Sequence, residues 1–139
     1  MKLNVGCGKK KMGEYINLDC NPFVNPDVCR DIEKGLPYND YTFDEIFCEQ
    51  TLEHIKDLVF VMNEFYRTLK IGGRLKLSVP LISGKWAFID PTHVHYFIPE
   101  SFDFWLHKDY NSDNAGVNGQ YKLVKGEIKD DSLYLELEK

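Results

Sequence analysis

Two glycines and an acidic residue near the N-terminus have the types and spacing that nucleoside binding requires. Gly6 and Gly8 stand at the end of an apolar segment at residues 2–6, and Asp19 ends a second apolar segment eleven positions after Gly8. Glycine lets a ligand approach bare backbone, and a carboxylate can accept hydrogen bonds from both hydroxyls of a ribose. If the two segments are strands of one parallel sheet, turn and acid meet at its carboxyl edge and predict a nucleoside site.

A third segment adds two residues that could contact the base of a nucleoside. Asp31 and Ile32 follow a very short predicted strand at residues 28–29. Asp31 could accept a hydrogen bond from an exocyclic amine, and Ile32 could contact the face of a purine. The alternative for Asp31 is a loop cap, because aspartate often caps a turn after a strand. Asp19, Asp31 and the two glycines together favour nucleoside binding over isolated turn roles.

Three histidines are candidates for a general base, because an unperturbed imidazole titrates near pH 6.5. They are His54, His93 and His95. His93 is the first choice, since it lies in the loop beyond the fifth predicted strand, where a substrate would approach. Asp90 would orient it. The alternative for each histidine is a surface imidazole, or one whose hydrogen bonds are satisfied within the fold.

The same loop allows two further interpretations. Asp90, His93 and His95 suggest a metal site, because His-x-His on a strand puts both rings on one face. Pro91 and Pro99 argue against a strand here, so we expect no metal. Nearby aromatic residues would form either a substrate lid or a small hydrophobic cluster, and they are Trp86, Phe88, Tyr96 and Phe97.

Apolar periodicity predicts an α/β fold in one domain. Strands are predicted at residues 2–6, 14–18, 28–29, 44–49 and 74–79. Apolar residues at helical spacing predict a helix over residues 57–70, ended by Gly72 and Gly73, and a short helix begins near Pro99. Residues 121–128 and 133–137 predict an antiparallel hairpin. This order favours a mainly parallel sheet with an antiparallel C-terminal hairpin strand at its edge.

The first crossover, between Gly8 and Asn17, is shorter than the dozen or more residues that a parallel connection usually needs. Either this connection is a loop with at most one helical turn, or the first two strands are not parallel neighbours.

Composition limits the classes of partner. The chain has 139 residues, 43% hydrophobic and 28% charged, which is typical of one globular domain. Its net charge of -5 argues against a duplex nucleic-acid partner. We expect no membrane segment and no signal peptide. The cysteines show no CxxC pair, which favours structural thiols in a reducing cytoplasm, and they are Cys7, Cys20, Cys29 and Cys48.

Four stretches within residues 2–80 read, in order, LNVGCG, INLD, DIEKGLPYNDYTFDEIFCEQTLEHI and EFYRTLKIGGRLKLSVP. Their order and spacing resemble the motifs of class I S-adenosylmethionine-dependent methyltransferases. The later DPTH and FIPES segments are similar to part of the small bacterial and phage members of that group. The resemblance implies a Rossmann-like sheet, S-adenosylmethionine as cofactor, and residues 1–139 as one methyltransferase-like domain.

The resemblance also implies roles for single residues. It puts the methionine part of the cofactor over the turn, the ribose at Asp19 beside Cys20, and the adenine between Asp31 and Ile32. Glu49 and Gln50 would face the transferred methyl group. Asn4 stands where the family often has an acid. The implied cofactor residues are Asn4, Gly6, Cys7, Gly8, Asp19, Cys20, Asp31, Ile32, Glu49 and Gln50.

The expected function is methyl transfer to a small-molecule or carbohydrate-like acceptor. The alternative is a non-catalytic module that binds S-adenosylmethionine or a nucleoside, because so small a chain has little to enclose a substrate. A nicotinamide-dependent oxidoreductase is disfavoured, since no third glycine follows Gly8 before Gly13. The predicted edge hairpin could pair with a second copy, so a homodimer is possible.

Overall fold

The computed structural model describes residues 1–139 except for the side chain of Tyr110. Among the described residues, seven strands form one sheet in the order β3-β2-β1-β4-β5-β7-β6. The strands are β1 Lys2–Val5, β2 Ile16–Asp19, β3 Val28–Cys29, β4 Phe43–Glu49, β5 Leu69–Pro80, β6 Lys122–Lys129 and β7 Ser132–Glu138. The α-helices are α1 Leu58–Thr68, α2 Trp86–Ile89, α3 Asp103–Leu106 and α4 Tyr110–Asn114.

Strand pairing confirms the predicted mixed sheet. Strands β1 to β5 are parallel neighbours, whereas β7 runs antiparallel to both β5 and β6. Asp130 and Asp131 join β6 to β7 with φ angles of 50° and 58°. Two consecutive positive φ angles are the requirement of a tight hairpin turn whose twist matches its strands.

The first crossover is a loop, and β1 and β2 are parallel neighbours. The described residues 6–15 contain no helix. Instead, the Asn4 amide donates to the Lys10 carbonyl at 2.9 Å and to Asn17 Oδ1 at 3.0 Å. Asn17 Oδ1 also accepts the backbone N–H of Met12 at 2.8 Å. Buried amide side chains therefore hold the returning chain where a helix would otherwise pack.

Helix α1 ends before the residue that the sequence predicts. Asp57 caps its first turn by accepting the Phe60 N–H at 2.9 Å, but the helix stops at Thr68 rather than at the glycine pair. Leu69 is extended and fully buried, and it begins β5, which runs through both glycines. The backbone N–H of Thr42 takes up the Thr68 carbonyl at 2.8 Å, so sheet pairing replaces the last helical turn.

The hydrophobic core lies on one face of the sheet. Leu3, Ile46, Leu75 and Leu137 occupy paired positions across four strands and are fully buried there. The buried residues of α1 belong to the same cluster, and they are Val61, Met62 and Phe65. Alternate residues of the strands point to the opposite face.

That opposite face is polar. Lys76 pairs with Glu45 at 2.7 Å, and Arg74 pairs with Glu138 at 2.7 Å.

Helix α1 has eleven residues, and none of the helices among the described residues could span a membrane.

Candidate active site

A pocket of about 240 Å³ opens at the carboxyl ends of β1 to β4. Seven predicted site residues line it, namely Gly6, Asp19, Cys20, Asp31, Ile32, Gln50 and His54. The sequence interpretation missed five others, which are Leu18, Arg30, Glu33, Thr51 and Ile55. All five lie next to a predicted site residue or in the LEHI segment. Their position just after the strand ends was therefore the sequence signal that could have identified them.

The glycine turn and the first acid meet as predicted. Asp19 Oδ2 accepts the Gly8 N–H at 2.8 Å, and Oδ1 accepts the Asn21 N–H at 2.8 Å. A carboxylate has about four acceptor positions, so each oxygen keeps capacity for a further donor. Asp19 is therefore fixed in orientation at the pocket wall and can still bind the hydroxyls of a ribose.

The two glycines are required for different reasons. Gly6 has a φ of +64°, and a Cβ added there would lie 2.2 Å from Thr51 Oγ1. Gly8 has a φ of +47°, but no atom of the described residues lies within 4 Å of an added Cβ. Close approach at Gly6 thus comes from the chain itself, whereas the space above Gly8 is open to a ligand.

Asp31 has the cap role proposed for it from the sequence, and it also lines the pocket. Its Oδ1 accepts the Glu33 N–H at 3.0 Å and caps the short 3-10 helix Ile32–Lys34. Its Oδ2 lies 3.8 Å from Lys34 Nζ. Ile32 is buried and contributes apolar surface to the same wall. The cap therefore holds the acid and the apolar residue side by side.

Four of the residues implied by the resemblance do not line this pocket. Both Asn4 amide hydrogens are used by the first crossover, as described above. The Cys7 thiol is buried, which raises its pKa, and it points to the Gly8 carbonyl at 3.6 Å. Gly8 acts on the pocket indirectly, because its backbone N–H donates a hydrogen bond to Asp19 in the pocket wall. Glu49 pairs with Lys10 at 2.8 Å and lines a separate concavity on the polar face.

Residues after β4 form the far wall of the pocket. Gln50 has a φ of 47°, an uncommon conformation for a residue with a Cβ. Its backbone N–H donates to the Ser78 carbonyl at 2.9 Å, which holds it in that conformation. The Thr51 hydroxyl donates to the Glu49 carbonyl at 3.0 Å. This turn leads directly into the 3-10 helix Leu52–His54.

His54, rather than His93, lies in the pocket wall. The His93 ring is behind it, with the two centroids 4.7 Å apart and the planes at 77°. His93 Nδ1 lies 3.0 Å from the Ala87 carbonyl, whereas Asp90 Oδ2 is 4.0 Å from Nε2. The Ala87 carbonyl therefore orients His93, in place of the predicted Asp90, whose Oδ1 accepts the Thr92 hydroxyl at 2.7 Å.

Glu53 is a buried acid that the sequence interpretation did not select. It is 2% exposed, and burial raises the pKa of its carboxyl to about 7. Its side chain lies close to His54 and His93, and ligand atoms of the three residues all lie within 4.8 Å of one another. The predicted alternative of Asp90 with His93 and His95 is not the group that the fold assembles.

The four aromatic residues of the loop differ in burial. Phe97 is buried and stacks on Phe102 with centroids 5.5 Å apart, so it belongs to the core. Phe88 and Tyr96 stack on each other at 5.3 Å and are more than half exposed, as is Trp86. Three aromatic side chains are therefore available at the surface of the loop beyond β5.

Comparison with known proteins finds methyltransferases. Residues 9–77 match the family model described as a methyltransferase domain. A putative methyltransferase of Bacillus subtilis, YrhH, is 26% identical over 77 residues, which cover 55% of this chain. The chain matches only 43% of the length of that relative.

Solved methyltransferases share the fold at low sequence identity. A protein of Methanosarcina mazei has a TM-score of 0.71 and 14% identity, covering 99% of this chain and 91% of its own. One from Archaeoglobus fulgidus has a TM-score of 0.69 and 18% identity, covering 99% and 85%. A putative methyltransferase of Haloferax volcanii, in complex with the Trm112 activator, has a TM-score of 0.65 and 15% identity, covering 99% and 80%. Over residues 9–77 the chain therefore matches the methyltransferase domain family, and its sheet is the Rossmann-like sheet of solved S-adenosylmethionine-dependent methyltransferases.

Proposed function

We propose that the chain binds S-adenosylmethionine in the pocket at the carboxyl ends of β1 to β4 and transfers its methyl group to a small-molecule or carbohydrate-like acceptor. The observation that carries the proposal is the Asp19 carboxylate, held by the Gly8 N–H at 2.8 Å in the wall of that pocket. Residues 1–139 act in this proposal as one domain.

Each wall of the pocket suits one part of the cofactor. Asp19 accepts the ribose hydroxyls, while Asp31 and Ile32 hold the adenine through a carboxylate and an apolar surface. Gln50 in the pocket wall, together with the open backbone at Gly8 outside the lining, is left for the methionine part. This arrangement needs no large movement, because backbone hydrogen bonds already fix Asp19 and Asp31.

Positioning is the main catalytic task of the chain. The bound cofactor supplies a methyl group that is already activated by the sulfonium charge. The protein then has to hold an acceptor in line with that group, and such alignment can contribute about 7–11 kcal/mol. His54 lines the pocket and is the imidazole that contacts the acceptor, with His93 supporting it from behind.

Calorimetry with S-adenosylmethionine and S-adenosylhomocysteine tests cofactor binding. Asp19→Asn keeps the side-chain shape but removes the charge, so it should weaken binding about ten- to hundredfold, since a hydrogen bond to a charged group contributes about 1.5–3 kcal/mol. Asp103→Asn alters an exposed acid of α3 and is the matched control. If the folded wild-type chain binds neither compound, the proposal is wrong.

Turnover is tested separately from binding, by following S-adenosylhomocysteine release over a panel of hydroxyl and amine acceptors. His54→Ala should lower kcat about a hundredfold while leaving cofactor affinity nearly unchanged. His107→Ala, at an exposed histidine, is the matched control. Equal losses of affinity and turnover in His54→Ala would contradict the assignment of His54 to the acceptor side.

A non-catalytic binding module is the second candidate. It is supported by the absence of a helix between β1 and β2 within the described chain, because this leaves one wall of the pocket thin. Cofactor binding without release of S-adenosylhomocysteine for any acceptor would favour it.

The proposed homodimer rests on β6 at the sheet edge, where Leu123, Val124 and Ile128 are exposed, and light scattering measures it directly.

A further inference from the structure

We propose that Glu53, His54 and His93 form a binding site for one divalent transition-metal ion beside the cofactor pocket. One ligand atom from each residue lies within 4.8 Å of the others. Two imidazoles and one carboxylate are a common set of protein ligands for zinc and for iron(II), with positions left open for other ligands. The inference does not depend on the proposed methyl transfer.

Hydrogen bonds fix the tautomers of both histidines. His93 Nδ1 lies 3.0 Å from the Ala87 carbonyl, which can only accept, so Nδ1 carries the hydrogen. The Thr92 hydroxyl donates to Asp90 Oδ1 at 2.7 Å, and its oxygen therefore accepts from His54 Nδ1 at 3.0 Å. In the neutral rings both Nε2 atoms keep a lone pair. Metal-binding histidines in proteins are oriented by such second hydrogen bonds.

The third ligand is a carboxylate that lacks a partner. Glu53 is 2% exposed, and its Oε2 makes no hydrogen bond within the described part of the chain. Buried polar atoms in folded proteins are nearly always paired, so an unpaired carboxylate oxygen beside two imidazole lone pairs points to a missing cation. Asp90 Oδ2, 4.0 Å from His93 Nε2, adds negative charge to the same place.

Main-chain hydrogen bonds hold the site together across a long sequence separation. The backbone N–H groups of Val94 and His95 donate to the Glu53 carbonyl at 2.8 Å and 3.2 Å. They attach the loop that carries His93 to the 3-10 helix that carries the other two ligands. Zinc lies about 2.0–2.2 Å from nitrogen and oxygen ligands, so binding needs the widest-spaced atoms to close by roughly an ångström. Side-chain rotation can provide that movement.

The ion would also affect the pocket. His54 belongs to the pocket wall, so open coordination positions of the ion would face the acceptor side and could take an acceptor oxygen. With the ion bound, His54 Nε2 is unavailable as a proton acceptor.

The test is titration of the chelator-treated, cofactor-free protein with Co²⁺, followed by visible absorption, and with Zn²⁺, followed by calorimetry. We expect one ion per chain. Glu53→Gln and His93→Ala should each weaken binding about a hundredfold or more, and Thr92→Val, which removes the hydroxyl that contacts both His54 and Asp90, about tenfold. Circular dichroism checks that each variant is folded. If His93→Ala does not fold, Glu53→Gln still tests the proposal, because its side chain is close in shape to that of the wild type.

Two control variants separate this site from adventitious binding. His107→Ala removes an exposed imidazole, and Cys29→Ser removes an exposed thiol. Neither should change the affinity. Absence of binding, unchanged affinity in Glu53→Gln, or loss of binding in either control would overturn the proposal. Since no cofactor is present, these outcomes are independent of whether the chain binds S-adenosylmethionine.

Discussion

Gly6 provides the sharpest test of how the turn and the pocket wall fit together. A Cβ at this position would lie 2.2 Å from Thr51 Oγ1 and 2.7 Å from Cγ2. The residue also has a φ of +64°, a conformation that side chains rarely adopt. Gly6→Ala therefore has two separate unfavourable consequences, one in the backbone and one in packing.

The magnitudes follow from these two contributions. A left-handed conformation costs a residue with a Cβ about 1–2 kcal/mol. Overpacking by one carbon in a tight site typically costs about 1–3 kcal/mol more. Gly6→Ala should thus lower the free energy of unfolding by roughly 2–5 kcal/mol. Gly8→Ala, with a φ of +47° and open space, should lose only the backbone contribution.

A double-mutant cycle with Thr51→Ala isolates the packing contribution. This change removes both Thr51 atoms nearest to the added carbon and leaves only Cβ, at 3.0 Å. The double variant should therefore recover about 1–3 kcal/mol relative to the sum of the single changes. Urea unfolding gives each free energy, and a constant m-value shows that the unfolded state is unaltered.

Two results would refute this reasoning. One is a Gly6→Ala loss no larger than that of Gly8→Ala. The other is a coupling energy near zero with Thr51→Ala, because the three atoms nearest to the added Cβ all belong to the Thr51 side chain.

Two further predictions concern ion pairs and pH. Arg67 pairs with Glu64 at 2.7 Å and with Asp40 at 2.8 Å. Because lysine cannot reproduce the planar fork of the guanidinium, Arg67→Lys should lower the free energy of unfolding, measured by urea unfolding, by about 2 kcal/mol. A loss below about 0.5 kcal/mol would contradict this. Burial, and then a hydrogen bond to Glu45, raise the pKa of Tyr15 to about 12. The contribution of Tyr15 to the free energy of unfolding should therefore be fully present below pH 10 and be lost between pH 10 and 12. Over that range the free energy of unfolding of Tyr15→Phe should decrease less steeply than that of the wild type.

Local signals in the sequence were sufficient to predict that Gly8 and Asp19 meet beside the pocket. Gly8 and Asp19 lie at the ends of adjacent parallel strands, so their meeting follows once the strands are recognised. The hairpin likewise follows from alternation on both sides of Asp130 and Asp131. In each case the contact is between strand neighbours, and strand pairing is what periodicity predicts.

The contact between His54 and His93 could not be predicted in the same way. His93 reaches His54 because the Glu53 carbonyl accepts two backbone N–H groups from a loop about forty residues later. No periodicity marks such a contact, and a buried glutamate in LEHI has the same sequence appearance as an exposed one. The end of α1 was misplaced for a similar reason, since pairing of Leu69 with β4 competes with further helix.

The two departures from the family pattern have a common physical cause. The short first crossover brings the Lys10 carbonyl back to β1, where it accepts a hydrogen bond from the Asn4 amide at 2.9 Å. Its second hydrogen goes to Asn17 Oδ1 at 3.0 Å. An acid at position 4 would face two acceptors with no hydrogen to donate, so the acidic residue common in the family is incompatible with this loop. Asn4 is therefore a structural residue whose amide hydrogens are both already used.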